Sequence, residues 1–186
     1  MAVPASVYEY YARYYGANKA GNVFYAHTGN AAITWTVGLT TTTIVGLVLS
    51  NPVGSNKNII LLQAEFCASG VIVGGVGISV MPYTIGATTH STALTIRNAI
   101  GGAAMGTGVG IVGSCAYADS GVVLPAAPVA ARMLWSAVST NTAVSPPPVL
   151  IDLGGSLILS PGTAGGILAT QAVTGWASLC WQEEAV

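Results

Sequence analysis

Charge is what this chain has least of. Of its 186 residues only 6% are Asp, Glu, Lys or Arg, against about 25% in an ordinary soluble domain. Hydrophobic residues make up 52% and the mean hydropathy is +0.66. A monomer bathed in water on all sides carries far more ionic groups, for solubility and to suppress association. Two explanations follow: the chain lies in a membrane, or copies of itself or other partners cover much of its surface. The net charge is −1, and Arg13, Lys19, Lys57, Arg97 and Arg132 are scattered. That leaves no cluster to meet phosphates and excludes an electrostatic nucleic-acid footprint.

Chemistry-bearing residues are also scarce. Cys67, Cys115 and Cys180 are far apart, odd in number and without His or Cys at ligand spacing. Neither a disulfide framework nor a zinc site is indicated, and buried reduced thiols are expected. The histidines are His27 and His90, and no G-x-S-x-G nucleophile motif occurs. His90, among Thr88, Thr89, Ser91 and Thr92, reads as a polar loop residue. Asp119 and Asp152 fall in turn-like or strand contexts, and Glu183-Glu184 reads as a solvated tail. Gly108-Val109-Gly110-Ile111-Val112-Gly113 matches G-x-G-x-x-G, but the acidic residue a dinucleotide site needs about 20 positions on is missing. Gly54-Ser55-Asn56-Lys57-Asn58 lacks the remaining features of a phosphate loop and reads as a hairpin turn. No enzyme, cofactor or metal is expected.

The start Met-Ala-Val-Pro-Ala-Ser lacks the basic n-region and apolar core of a signal peptide, so synthesis and assembly in a cytoplasm are expected. The stretch from Asn98 to Ala118 is uncharged and long enough to span a bilayer. Its glycines at 101, 102, 106, 108, 110 and 113 would each cost a helix up to about 1 kcal/mol relative to Ala. A membrane span is therefore not expected there.

What is present is a succession of strand-length apolar runs rich in Val, Ile and Thr. They are separated by Gly, Pro, Asn and Ser at intervals of about 8–12 residues, the spacing of a sandwich or barrel. In NIILLQAEFCA, Leu62, Ala64 and Phe66 should face one way and Gln63, Glu65 and Cys67 the other, as in a central strand. Leu157 and Leu159 alternate with Ser156 and Ser160 before a turn at Pro161-Gly162-Thr163. Pro146-Pro147-Pro148 reads as a stiff connector.

The first 30 residues differ, crowding Tyr8, Tyr10, Tyr11, Tyr14 and Tyr15 around Glu9 and Arg13. The Glu9–Arg13 spacing supports a turn or two of helix with Tyr8, Tyr11 and Tyr15 on one face. Such a segment could pack on its own domain, dock as an arm on a partner, or stay disordered; tyrosines suit an interface because they offer large area at low rotamer cost. The expected organisation is an aromatic-rich N-terminal arm or short helix over residues 1–30 and a β-sandwich over 31–186.

Two stretches carry a resemblance. Ser50-Asn51-Pro52-Val53-Gly54-Ser55-Asn56-Lys57-Asn58 runs into Ile59-Ile60-Leu61-Leu62. The late Leu157-Ile158-Leu159-Ser160-Pro161-Gly162-Thr163 leads on to Trp181-Gln182-Glu183-Glu184. Together they resemble small tailed-bacteriophage virion proteins, particularly capsid decoration or cement proteins, over about half the chain. The resemblance implies an all-β antiparallel sandwich, jelly-roll-like and commonly a homotrimer, on the outside of a phage head. There it would bind the major capsid protein and bridge capsomers. Expected partners are therefore copies of the chain and the major capsid protein, with no nucleic acid and no membrane; the expected place is the virion surface, after assembly in the host cytoplasm. The five tyrosines are the candidate capsid anchor. The alternative is a tail, baseplate or fibre module that binds host surface glycans.

Overall fold

The computed structural model describes residues 14–38, 41–69, 73–82, 89–100, 113–138 and 147–186. One short helix, α1 (Tyr15–Lys19), precedes twelve strands. These are β1 (Val23–His27), β2 (Ile33–Trp35), β3 (Thr43–Asn51), β4 (Lys57–Ala68), β5 (Val73–Pro82), β6 (Thr89–Ala93), β7 (Arg97–Asn98), β8 (Tyr117–Val123), β9 (Val129–Val138), β10 (Val149–Leu159), β11 (Thr163–Ala169) and β12 (Val173–Ala185). They form two six-stranded sheets, the first ordered β10-β4-β12-β1-β7 with β2 also on β12, the second β6-β8-β3-β11-β5-β9. Every pairing among these strands is antiparallel.

The expected all-β antiparallel sandwich is what the chain forms, and the strand order is specific. Taken alone, β1, β3, β4, β5, β9, β10, β11 and β12 alternate between the sheets as first-eighth-third-sixth and second-seventh-fourth-fifth. That is the wrapping of a jelly roll. Residues 89–123, inserted between β5 and β9, supply β6 and β8 to one sheet and β7 to the other. The insertion therefore widens the sandwich on one side only.

Alternation explains which sheet face is buried. Along β12, Val173, Gly175, Ala177, Leu179, Trp181 and Glu183 are buried while every intervening residue from Thr174 to Gln182 is partly open. In β4 Ala64 and Phe66 point inward and Gln63, Glu65 and Cys67 outward, as expected. Leu62 falls at a bulge opposite Cys180/Trp181, so that Ile59 and Leu61 also reach the core. One extra residue shifts the phase of the alternation. Between the sheets Phe24 lies against Trp181 at 6.1 Å and Trp35 meets Phe66 edge-on at 5.2 Å, within a cluster that draws on both sheets. A smaller cluster of Ile44, Val48, Val122, Leu124, Ala164 and Leu168 occupies the other face of the second sheet. Gly38 N–H donates to the Ala169 carbonyl at that sheet's margin.

Two glycines are dictated by geometry. A Cβ on Gly166 would sit 2.4 Å from the Leu47 carbonyl oxygen, so β11 and β3 meet there backbone to backbone. Gly162 has φ +86 and follows Pro161 in a turn closed by Thr163 N–H to the Ser160 carbonyl, which is the expected Pro161-Gly162-Thr163 turn.

The segment at Gly54-Asn58 is a turn but not a hairpin, because β3 and β4 belong to different sheets. It is the corner at which the chain changes layers. Buried Asn51 clamps that corner, its Nδ2 donating to the carbonyls of Lys57 and Leu159 at 2.8 Å each. No helix among the described residues is long and apolar enough to cross a membrane, and Gly101–Val112 lie outside the described residues.

Candidate functional site

Of the five tyrosines singled out in the sequence, Tyr8, Tyr10 and Tyr11 lie outside the described residues, as does the Glu9–Arg13 pair. Tyr15 opens α1. Tyr14 donates its hydroxyl to Asp152 Oδ1 on β10 at 3.0 Å. The same oxygen accepts Gly154 N–H at 2.8 Å, at the irregular stretch where β10 leaves register with β4 between Asp152 and Leu157. Tyr25, Cys180, Gln63 and Asp152 stand opposite one another across β1, β12, β4 and β10. Residues 14–22 therefore cross the outer face of the first sheet, from its β10 edge to β1. Val23–His27, which follow, are a full member of that sheet.

That crossing ends at an unusual flank. Each sheet has two edges, and on the insertion side they are short: β7 has two residues and β6 five. On the other side they are long, with β10 at eleven residues and β9 at ten. Among the described residues β9 pairs with β5 alone and β10 with β4 alone. Arg132 Nη1 on β9 donates to Ser156 Oγ on β10 at 3.4 Å, drawing the two edges together. Large apolar side chains stand exposed there, Val129 at 71%, Leu150 at 62%, Ile158 at 53% and Met133 at 49%, beside exposed Arg132, Asp152 and Ser156. Arg132 is the single charge of β9, and neither strand contains Lys or an internal Pro. Those are the devices by which solvated edges avoid pairing with other chains. Both edges are partly blunted by irregularity: β9 carries an extra residue at Ala131 and at Leu134 against β5, and β10 leaves register with β4 between Asp152 and Leu157.

Two buried polar clusters lie elsewhere, and both correct the sequence reading. His90 is on β6 rather than in a loop. Its Nδ1 meets Asp119 Oδ2 on β8 at 2.5 Å, and its ring lies 4.9 Å from that of Tyr117. Asp119 is 1% exposed, and burial raises its pKa from the ordinary value while the His90 contact pulls it down. Glu183 is not a solvated tail. It accepts Ser114 Oγ–H, Cys115 N–H at 3.0 Å, Trp181 Nε1–H at 3.4 Å and Lys57 Nζ at 3.0 Å. This network ties the end of β12 to the start of β4 and to the segment leading into β8.

The three cysteines are free and partly buried rather than enclosed. Burial first, and Glu183 second, push the Cys115 thiol up to about 12. Burial, with Glu65 behind it, pushes Cys180 up to about 11.

The chain matches no family model, no curated protein and no solved structure. What it can do has to be read from the geometry above. A cavity of about 450 Å³ is lined by His90, Asp119, Ser114 and Cys115 among others. Yet Ser114 spends its proton on Glu183, and a thiol with a pKa near 12 stays protonated at neutral pH. Neither is an activated nucleophile. Among the described residues no group of three His, Cys, Asp or Glu could hold a metal. The β9/β10 flank is different, because two long unpaired edges with apolar side chains can add further strands or bury against a like surface. No sequence motif marks it; the signal is the run VAARMLWSAV, strand-length with a single charge.

Proposed function

We propose that this chain is a structural protein of a virus particle, of the capsid decoration or cement type. It associates with copies of itself, as a homotrimer, and binds the major capsid protein on the outside of a phage head, where it bridges capsomers and stabilises the shell. The observation that carries this reading is the β9/β10 flank. In a chain with five basic and six acidic residues, the two longest sheet edges lie together on one side with no further strand among the described residues, and expose large apolar side chains, while the insertion lies on the other side. Obligate interfaces are apolar, like a core cut in half, and a closed ring of identical subunits gives every edge a partner. The jelly-roll wrapping supports the reading, since shell proteins are among its recurrent uses, and so does the resemblance to small phage virion proteins. The tyrosine segment stays the candidate capsid anchor, and Tyr14, hydrogen-bonded to Asp152 on β10, adjoins the flank.

The test is mass spectrometry of purified particles from cells that make the protein, with sedimentation equilibrium of the isolated chain without detergent. Hundreds of copies per particle and a trimer in solution are expected. A monomer, or a chain missing from particles, overturns the proposal.

A further inference from the structure

The outer face of the first sheet carries a cavity of about 460 Å³ whose walls include Trp176, Glu65, Ser178, His27, Val149 and Leu150. Its polar groups are set by strand register. His27, Ser178 and Glu65 stand directly opposite one another on β1, β12 and β4. Neighbouring strands lie about 4.8 Å apart, so imidazole, hydroxyl and carboxylate form a row about 10 Å long. Trp176 is two residues before Ser178 on the same face of β12, and its Nε1–H donates to the Asn30 carbonyl at 3.4 Å. The indole thus has a fixed edge and a part-exposed face beside the polar row.

The hydrogen-bonding roles in that row are already assigned. Ser178 Oγ–H donates to Glu65 Oε2 at 2.7 Å, leaving the serine lone pairs and the second carboxylate oxygen to accept. Gly29 N–H donates to His27 Nδ1 at 3.0 Å, so the neutral ring carries its proton on Nε2 and donates from there. Beyond His27 a second cavity of about 230 Å³ shares His27 and Gly29 and continues past Asn30 to Thr95 and Arg97. The two adjoining cavities make an elongated groove with an aromatic plate, acceptors in the middle and the His27 N–H donor beyond them.

A purely apolar ligand would leave the row unsatisfied. An anion would face Glu65, and a cation would leave the His27 Nε2–H donor unmatched. A sugar ring has one apolar face for an indole and hydroxyls that both donate and accept, which matches a mostly apolar site with a few convergent polar groups. We propose that this groove binds a neutral saccharide of at least two rings, one stacked on Trp176 and hydrogen-bonded to Glu65 and Ser178, the next reaching His27 and the Arg97 end. Trp176 on β12 and Glu65 on β4 lie off the β9/β10 flank, although Val149 and Leu150 of β10 wall the cavity as well.

The test follows the indole N–H signals of the ¹⁵N-labelled full chain by NMR, with maltotriose, cellotriose, chitotriose and mannotriose added at millimolar concentration. The Trp176 signal is assigned by its loss in Trp176→Ala. At least one of the four is expected to shift it saturably. Trp176→Ala should then weaken binding of that sugar, followed by calorimetry, at least about tenfold, or 1.4 kcal/mol, and Glu65→Gln should weaken it in a chain whose remaining spectrum is unchanged. No shift with any of the four overturns the proposal, and so does binding that survives both substitutions. Sedimentation of the same variants keeps this result separate from assembly, because both should oligomerise as the parent chain does.

Discussion

Glu183 and Glu184 are neighbours with opposite surroundings, because adjacent strand residues point to opposite faces. Glu183 is 2% exposed and holds donors from Lys57, Ser114, Cys115 and Trp181. Removing a buried acceptor strands every donor aimed at it, which costs more than the bond itself. Glu183→Ala should therefore destabilise the fold by about 3 kcal/mol in urea unfolding. Glu184→Ala, at an exposed position, should stay within about 0.5 kcal/mol. Alternation was there to be read in TGWASLCWQEEA, where continuing the period past Trp181 puts Glu183 inside. What hid it was the ordinary expectation for a charged pair at the end of a sequence. A second outcome concerns the thiols. With Cys180 at about 11 against a usual 9.0, its thiolate is about a hundredfold scarcer near neutral pH than in the unfolded chain. Cys115, at about 12, is scarcer still. Iodoacetamide at mildly alkaline pH should leave both largely unmodified until urea is added, as read by peptide mass spectrometry.

Among the elements, strands were legible and their partners were not. β4, β11 and β12 could be found from Val, Ile and Leu runs and period-2 alternation, because burial of one face writes itself into every second residue. The corner at Gly54–Asn58 could not be told from a hairpin: a turn looks the same locally whether the next strand pairs with the last or joins the opposite sheet. His90 and Asp119 stand 29 positions apart in the sequence, and the β6–β8 pairing brings the two together. The flank was hidden for the same reason, since an edge is a property of the sheet and not of the strand. Its role is open to a direct change. Met133→Lys puts a charge on the β9 edge at a site already 49% exposed, where natural edges use lysine to prevent pairing. The variant should keep the parent's unfolding midpoint within about 0.5 kcal/mol yet sediment as a monomer. If it assembles normally, β9 is not the contact.

At the scale of the whole molecule, scarcity of charge sets how the protein responds to its solvent. An assembly held by apolar edges has few ion pairs to screen, whereas one held by surface charges weakens as the Debye length falls from about 10 Å at 0.1 M to 3 Å at 1 M salt. The oligomer should therefore be unchanged or firmer in 1 M NaCl, as measured by sedimentation velocity; dissociation there would point to an ionic interface. The same jelly roll also constrains the order of events during synthesis. β12 lies between β4 and β1 and also pairs with β2, yet it leaves the ribosome after all three. Until it arrives, the first sheet lacks its middle, and β4 and β1 wait with open edges while the strands of the future flank are already made. Distant pairings of this kind fold slowly, so a growing chain holds unpaired β edges longest when other copies are being made nearby. Crowded translation is then the moment of greatest risk of premature association. When β12 joins β4, β1 and β2, it closes the first sheet and ends that exposure.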